Sequence, residues 1–81
     1  MMDIEERVKQ IVGTVLNTTP GHIRLDASLK DDLGATSLDR YTILMDIEDA
    51  FSLDLDDVPE EELEERIATV GDIIEFLKER G

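Results

Sequence analysis

Ser37 is the residue of this 81-residue chain best placed to do chemistry. It lies in the run Asp32-Leu33-Gly34-Ala35-Thr36-Ser37-Leu38-Asp39, which reads as a turn entering a helix. Gly34 gives the backbone the freedom that a turn needs. Thr36 is suited to cap the helix through its side-chain oxygen, and Asp39, three residues on, completes a capping-box pattern. Ser37 then falls in the first turn, where unpaired N–H groups and the helix dipole favour an anion. A hydroxyl there is well placed to carry a phosphate. A plain alternative stands beside this: Ser37 is one first-turn residue of an ordinary capped helix.

Other chemistry finds little support. The chain has no cysteine, which excludes a disulfide scaffold, a thiolate metal site and a cysteine nucleophile, though not a thiol on an attached cofactor. His22, the only histidine, has no companions for a zinc site or a Ser-His-acid set and reads as a surface or loop-anchoring residue. Asp54, Asp56 and Asp57 interleave with Leu53 and Leu55 in a way that invites a calcium-loop reading. Counted from Asp54, however, the sixth position is Pro59, where an EF-hand requires Gly; counted from Asp46 it is Phe51. No dedicated metal site is expected, only weak screening of the acids by divalent cations. With no acid–base or nucleophile set legible, the chain is not expected to be an enzyme.

The elements that must position Ser37 follow from hydrophobic periodicity. Ile4, Val8, Ile11, Val12, Val15 and Leu16 form one stripe of a helix from Asp3 to about Asn17, with Asp3 and Glu6 as a capping pair and Gly13 a weak point. Pro20-Gly21 ends it, and His22 to Asp32 is read as a long loop, anchored by Ile23, Leu25, Leu29 and Leu33, with a helical turn near 20–23. The second helix is expected from Ser37 to Phe51, with Ile43, Leu44, Ile47, Ala50 and Phe51 facing the core. Leu38, Tyr41 and Met45 make a neighbouring apolar stripe. Periodicity alone leaves it either a wider core face or an exposed docking patch rimmed with acid. A short third helix begins near Pro59, placed at its first position, and is anchored by Val58, Leu63 and Ile67. Thr69 and Asp72 cap the last helix, which buries Val70, Ile73, Ile74 and Leu77 with Phe76 at the edge. The expected fold is all-α: a small four-helix bundle of three longer helices and one short one, a single domain over 1–81.

The formal net charge is −13, from 21 acidic against 8 basic residues. Such a chain is not expected to bind nucleic acid or to insert in a membrane; its acidity either favours encounter with basic patches on other proteins or only keeps a small domain soluble, and charge alone does not choose between them. The acidic N-terminal run lacks both a basic segment and an apolar stretch, so no signal peptide is read there and a cytoplasmic location is expected.

The central run resembles the Asp-Leu-Gly-Ala-Asp-Ser-Leu-Asp signature of acyl carrier proteins. Ile4-Glu5-Glu6-Arg7-Val8-Lys9 looks like that family's usual first helix, and Leu44-Met45-Asp46-Ile47-Glu48-Asp49-Ala50-Phe51 is similar to its Leu-Val-Met-x-Leu-Glu-x-x-Phe pattern. Ala68-Thr69-Val70 resembles the opening of its final helix. The resemblance covers essentially the whole chain. It implies 4′-phosphopantetheine, transferred from coenzyme A and attached covalently at Ser37, with Asp32, Leu33, Gly34, Thr36, Leu38 and Asp39 forming the attachment motif. It also implies a carrier of thioester-linked acyl groups for fatty-acid or related lipid or polyketide synthesis. The second helix becomes the recognition helix, with Leu38, Tyr41 and Met45 giving short-range fit. Asp39, Asp46, Glu48, Asp49, Asp56 and Asp57 would meet cations of partner enzymes. The partners implied are a phosphopantetheinyl transferase and enzymes of the acyl-carrier synthetase, ketosynthase, reductase and acyltransferase types, met by a monomeric carrier. Thr36 stands where the family usually has Asp, Tyr41 where a small aliphatic is usual, and Thr42 where an acid used in docking is common. These departures suggest a specialised carrier. The alternative of another class is a non-modified acidic helical adaptor that binds proteins through its second helix.

Overall fold

The computed structural model describes residues 3–55 and 57–80. Asp56, expected on the partner face, lies outside the described residues. Four α-helices follow in order: α1 (Ile4–Leu16), α2 (Ser37–Phe51), α3 (Glu60–Arg66) and α4 (Val70–Arg80), with a 3-10 turn at Pro20–His22 after α1. The all-α bundle of three longer helices and one short one is what the periodicity predicts. No β-strand occurs among the described residues, only an isolated bridge between Ser28 and Thr69.

Each helix begins where a local signal lies in the sequence. The Asp3 carboxylate accepts the Glu6 N–H at 2.9 Å, while Thr36–Asp39 and Thr69–Asp72 form reciprocal capping boxes, all four bonds at 3.1 Å. Such a cap satisfies N–H groups that the helix leaves orphaned. α3 differs slightly from expectation: Pro59 is its N-cap, one residue before the first helical position. α1 ends at Asn17 in the left-handed region (φ 56°), and the Thr18 N–H returns to the Gly13 carbonyl at 2.8 Å. A Cβ on Gly13 would lie 2.7 Å from the Thr18 oxygen, so the glycine permits the tight turn that closes α1.

Val8 and Val12 of α1, Ile43 and Ile47 of α2, and Val70 and Ile73 of α4 meet in the core, with Leu29 from the long loop. α3 contributes Leu63 and is followed by the buried Ile67. Three expectations are corrected. Ala50 is exposed, because α1 covers only part of the α2 face. Leu25 is exposed and joins the core region through its backbone alone, its carbonyl accepting the Gly71 N–H at 2.8 Å. Phe76 is only 3% exposed; the guanidinium groups of Arg66 and Arg80 lie 4.9 and 5.4 Å from its ring centre and close over it.

The loop between α1 and α2 is held firmly enough to aim α2. Leu29 N–H donates to Ala68 O at 3.0 Å and Val70 N–H to Ala27 O at 3.2 Å, tying the loop to the start of α4. Ala35 N–H then donates to Leu29 O at 2.7 Å and the Ala35 side chain is buried. The far end of α2 is fixed by Arg7, which donates to the Ala50 carbonyl and lies 4.2 Å from the Phe51 ring centre. That contact places a cation at the negative end of the helix dipole.

Candidate functional site

Three residues set the Ser37 hydroxyl at the surface. Gly34 takes φ 69°, a left-handed conformation that glycine adopts without the steric cost a Cβ brings. Buried Ala35 plugs the chain back into the core, and Thr36 starts the helix. Ser37 follows as an exposed first-turn residue. The other motif residues serve this geometry. The Asp32 carboxylate accepts the Ser28 N–H at 2.7 Å and so belongs to the loop, and Leu33 packs against the core. The Asp39 carboxylate accepts the Thr36 N–H at 3.1 Å and so serves the cap.

Beside Ser37 a cleft of about 290 Å³ runs between α2 and the α3 region. Ser37 and Arg40 stand at its rim together with Tyr41, and Leu44, Leu55, Val58, Leu63 and Ile67 supply its apolar lining. Arg40 also borders a second, polar recess shared with Ser28, Lys30, Glu61, Glu64 and Glu65. Neither Arg40 nor the residues lining the cleft stand out in the sequence. The available signal was a cation three residues after Ser37, one helical turn along the same face.

The stripe that periodicity left open is resolved. Leu38, Tyr41 and Met45 are 72, 59 and 52% exposed, so they do not widen the core. Asp46 and Asp49 are exposed on the same helix. Two other acids expected on the partner face have partners within the chain. Glu48 accepts the Leu55 N–H at 3.1 Å, and Asp57 pairs with Arg80 at 3.0 Å. Thr42 donates its hydroxyl to the Leu38 carbonyl at 3.0 Å. His22 is an exposed residue of the 3-10 turn. Among the described residues no three His, Asp or Glu side chains are grouped to hold a metal ion, and no helix is long and apolar enough to cross a membrane.

A bundle that presents one capped serine at the start of its second helix, beside an apolar cleft, has the form of a carrier. Residues 6–77 match the family described as "Phosphopantetheine attachment site", and the chain belongs to that family of carrier proteins, of the acyl carrier protein type. The family carries a covalently attached 4′-phosphopantetheine group, and its carrier domains are not themselves catalytic. The residues here fit such a group: Ser37 is exposed at the start of α2, and an apolar cleft opens alongside.

Proposed function

We propose that this protein carries acyl groups as thioesters on a 4′-phosphopantetheine arm attached to Ser37 and delivers them to enzymes of fatty-acid or related lipid or polyketide synthesis. The observation that supports this most is the exposed Ser37 hydroxyl, held by the Thr36–Asp39 box at the rim of the α2–α3 cleft. In the loading step the Ser37 Oγ–phosphorus bond forms as the pyrophosphate bond of coenzyme A breaks. Adenosine bisphosphate leaves, and the hydroxyl proton passes to the transferase. When attached, the arm supplies the thiol that a chain without cysteine lacks.

This chain's own residues do the rest. The N-terminal end of α2 tolerates the phosphodiester charge. The Leu44–Leu55–Leu63 side of the cleft offers an acyl chain shelter from water. A flexible tether raises the concentration of the acyl group in whichever active site the carrier docks. Leu38, Tyr41 and Met45 form the apolar centre of the docking face, and Asp46 and Asp49 the acidic rim that meets basic patches. Glu48, whose carboxylate accepts the Leu55 N–H, contributes less to that rim, while Asp57 stays exposed beside Arg80. Thr36, Tyr41 and Thr42 suit a specialised carrier. If the chain replaced a housekeeping carrier in reconstituted fatty-acid elongation at equal rates, that refinement would fall.

Incubation with coenzyme A and a broad-specificity phosphopantetheinyl transferase tests the proposal by intact mass. A single gain of roughly 340 Da, set by the composition of the arm, is expected for the native chain and not for Ser37→Ala. No gain with several transferases would favour the unmodified helical adaptor, for which the same exposed face of α2 would be the working surface.

A further inference from the structure

Arg40 is the unusual charge near the site. The chain holds 21 acidic residues, and the described guanidinium groups mostly find partners among them or on carbonyls. Arg24 pairs with Asp26, Arg66 with Glu79 and Arg80 with Asp57, while Arg7 donates to the Ala50 carbonyl. Arg40 has no ion pair among the described residues. Its Nη2 reaches Ser37 Oγ at 3.4 Å, a long contact, and its Nε is buried with no hydrogen-bond partner. A guanidinium presents five N–H donors, and a donor left unsatisfied away from water carries a real desolvation cost. Asp31, Glu61, Glu64 and Glu65 line the polar recess beside it and Glu48 the cleft, yet none of them pairs with it, which leaves the guanidinium available to an anion on the Ser37 side. Thr36 brings no charge next to Ser37, and Asp39 is spent on the Thr36 N–H. The charge nearest the Ser37 hydroxyl is therefore positive in a molecule that is strongly negative overall.

Arg40 also occupies a boundary, since its side chain lines both the apolar α2–α3 cleft and the adjoining polar recess. A group bonded to Ser37 Oγ lies within reach of the guanidinium from the outset. A phosphodiester is a monoanion with acceptor oxygens, the complement of a fork of N–H donors.

We propose that Arg40 is a positioning residue that pairs with the phosphodiester at Ser37 and holds the root of the arm at the mouth of the α2–α3 cleft. The inference rests on attachment at Ser37. It makes the bound, cleft-facing arm the resting arrangement, released when a partner enzyme offers the phosphate a competing cation. Arg40→Gln keeps much of the stem and loses the charge; Arg40→Lys keeps the charge and loses the fork.

The test uses the full chain before and after loading, with loading checked by mass. In the native protein the Arg40 Nε–Hε resonance is expected to move on conversion from apo to holo form. The phosphorus resonance of the holo protein is expected to shift and sharpen in Arg40→Gln, with Arg40→Lys between the two. An unmoved Arg40 Nε–Hε resonance, with the same phosphorus shift and width in the native and Arg40→Gln proteins, would overturn the pairing while leaving carrier function intact. Failure of the native chain to load would overturn both. If Arg40→Gln resists loading, the apo-to-holo comparison in the native protein decides alone.

Discussion

Thr36 does two things at the residue scale: its hydroxyl oxygen caps α2, and its neutrality leaves Ser37 beside a cation instead of a carboxylate. Replacing it separates the two. Thr36→Ala is expected to cost about 1 kcal/mol in urea unfolding, the usual loss of an N-cap, whereas Thr36→Asp should stay within a few tenths of the native value. Equal stability of all three proteins would contradict the capping role. Gly13 gives a second residue-scale prediction with opposing terms. Alanine would add about 1 kcal/mol of helix propensity. Its Cβ, however, would sit 2.7 Å from the Thr18 carbonyl, a backbone atom that cannot swing aside. Overpacking of this kind costs about 1–3 kcal/mol, so a net loss of stability is expected for Gly13→Ala on thermal unfolding. A gain would show that the closing turn of α1 yields easily.

At the scale of elements, α2 carries two apolar faces with different duties. Ile43 and Ile47 are buried, while Leu38, Tyr41 and Met45 are mostly open to solvent. Ile47→Ala should lose about 2–5 kcal/mol through the cavity it leaves. The pair Leu38→Ser and Met45→Gln should change stability by no more than about 0.5 kcal/mol each, yet slow acyl transfer to a partner enzyme. A large stability loss from the second pair would return that stripe to the core. The sequence made the caps legible because a capping box is local: Thr36–Asp39 and Thr69–Asp72 need only their own backbone. It left the Leu38 stripe undecided because a helical period gives direction but not what covers it. Phe76 looks peripheral for the same reason, since the Arg66 guanidinium that helps cover it comes from α3, joining that of Arg80 one turn on in α4. The family resemblance implies shelter for an acyl chain between the helices, but the sequence does not show the α2–α3 cleft because its lining comes from α2, α3 and the loop between them; Arg40 does not stand out because its orphaned Nε is a property of tertiary packing.

At the scale of the whole molecule, a formal charge of −13 acts on both folding and encounter. Self-repulsion opposes the compact state, and salt screens it. The thermal midpoint is expected to rise as sodium chloride goes from about 0.01 M to about 0.15 M, over which the Debye length falls from about 30 to about 8 Å. The rate of coupling to a basic partner enzyme should fall over the same interval, because steering is lost. A midpoint indifferent to salt would mean that the acids are balanced locally. The central claim, that the bundle exists to present Ser37, is tested most directly by locating the modification. Cleavage after Lys30 and Arg40 releases residues 31–40, in which Ser37 is the single serine and Thr36 the single threonine. After loading of the native protein, fragmentation of this peptide is predicted to place the whole added mass on Ser37. An unmodified peptide, or the mass on Thr36 or on any other segment, would contradict the account.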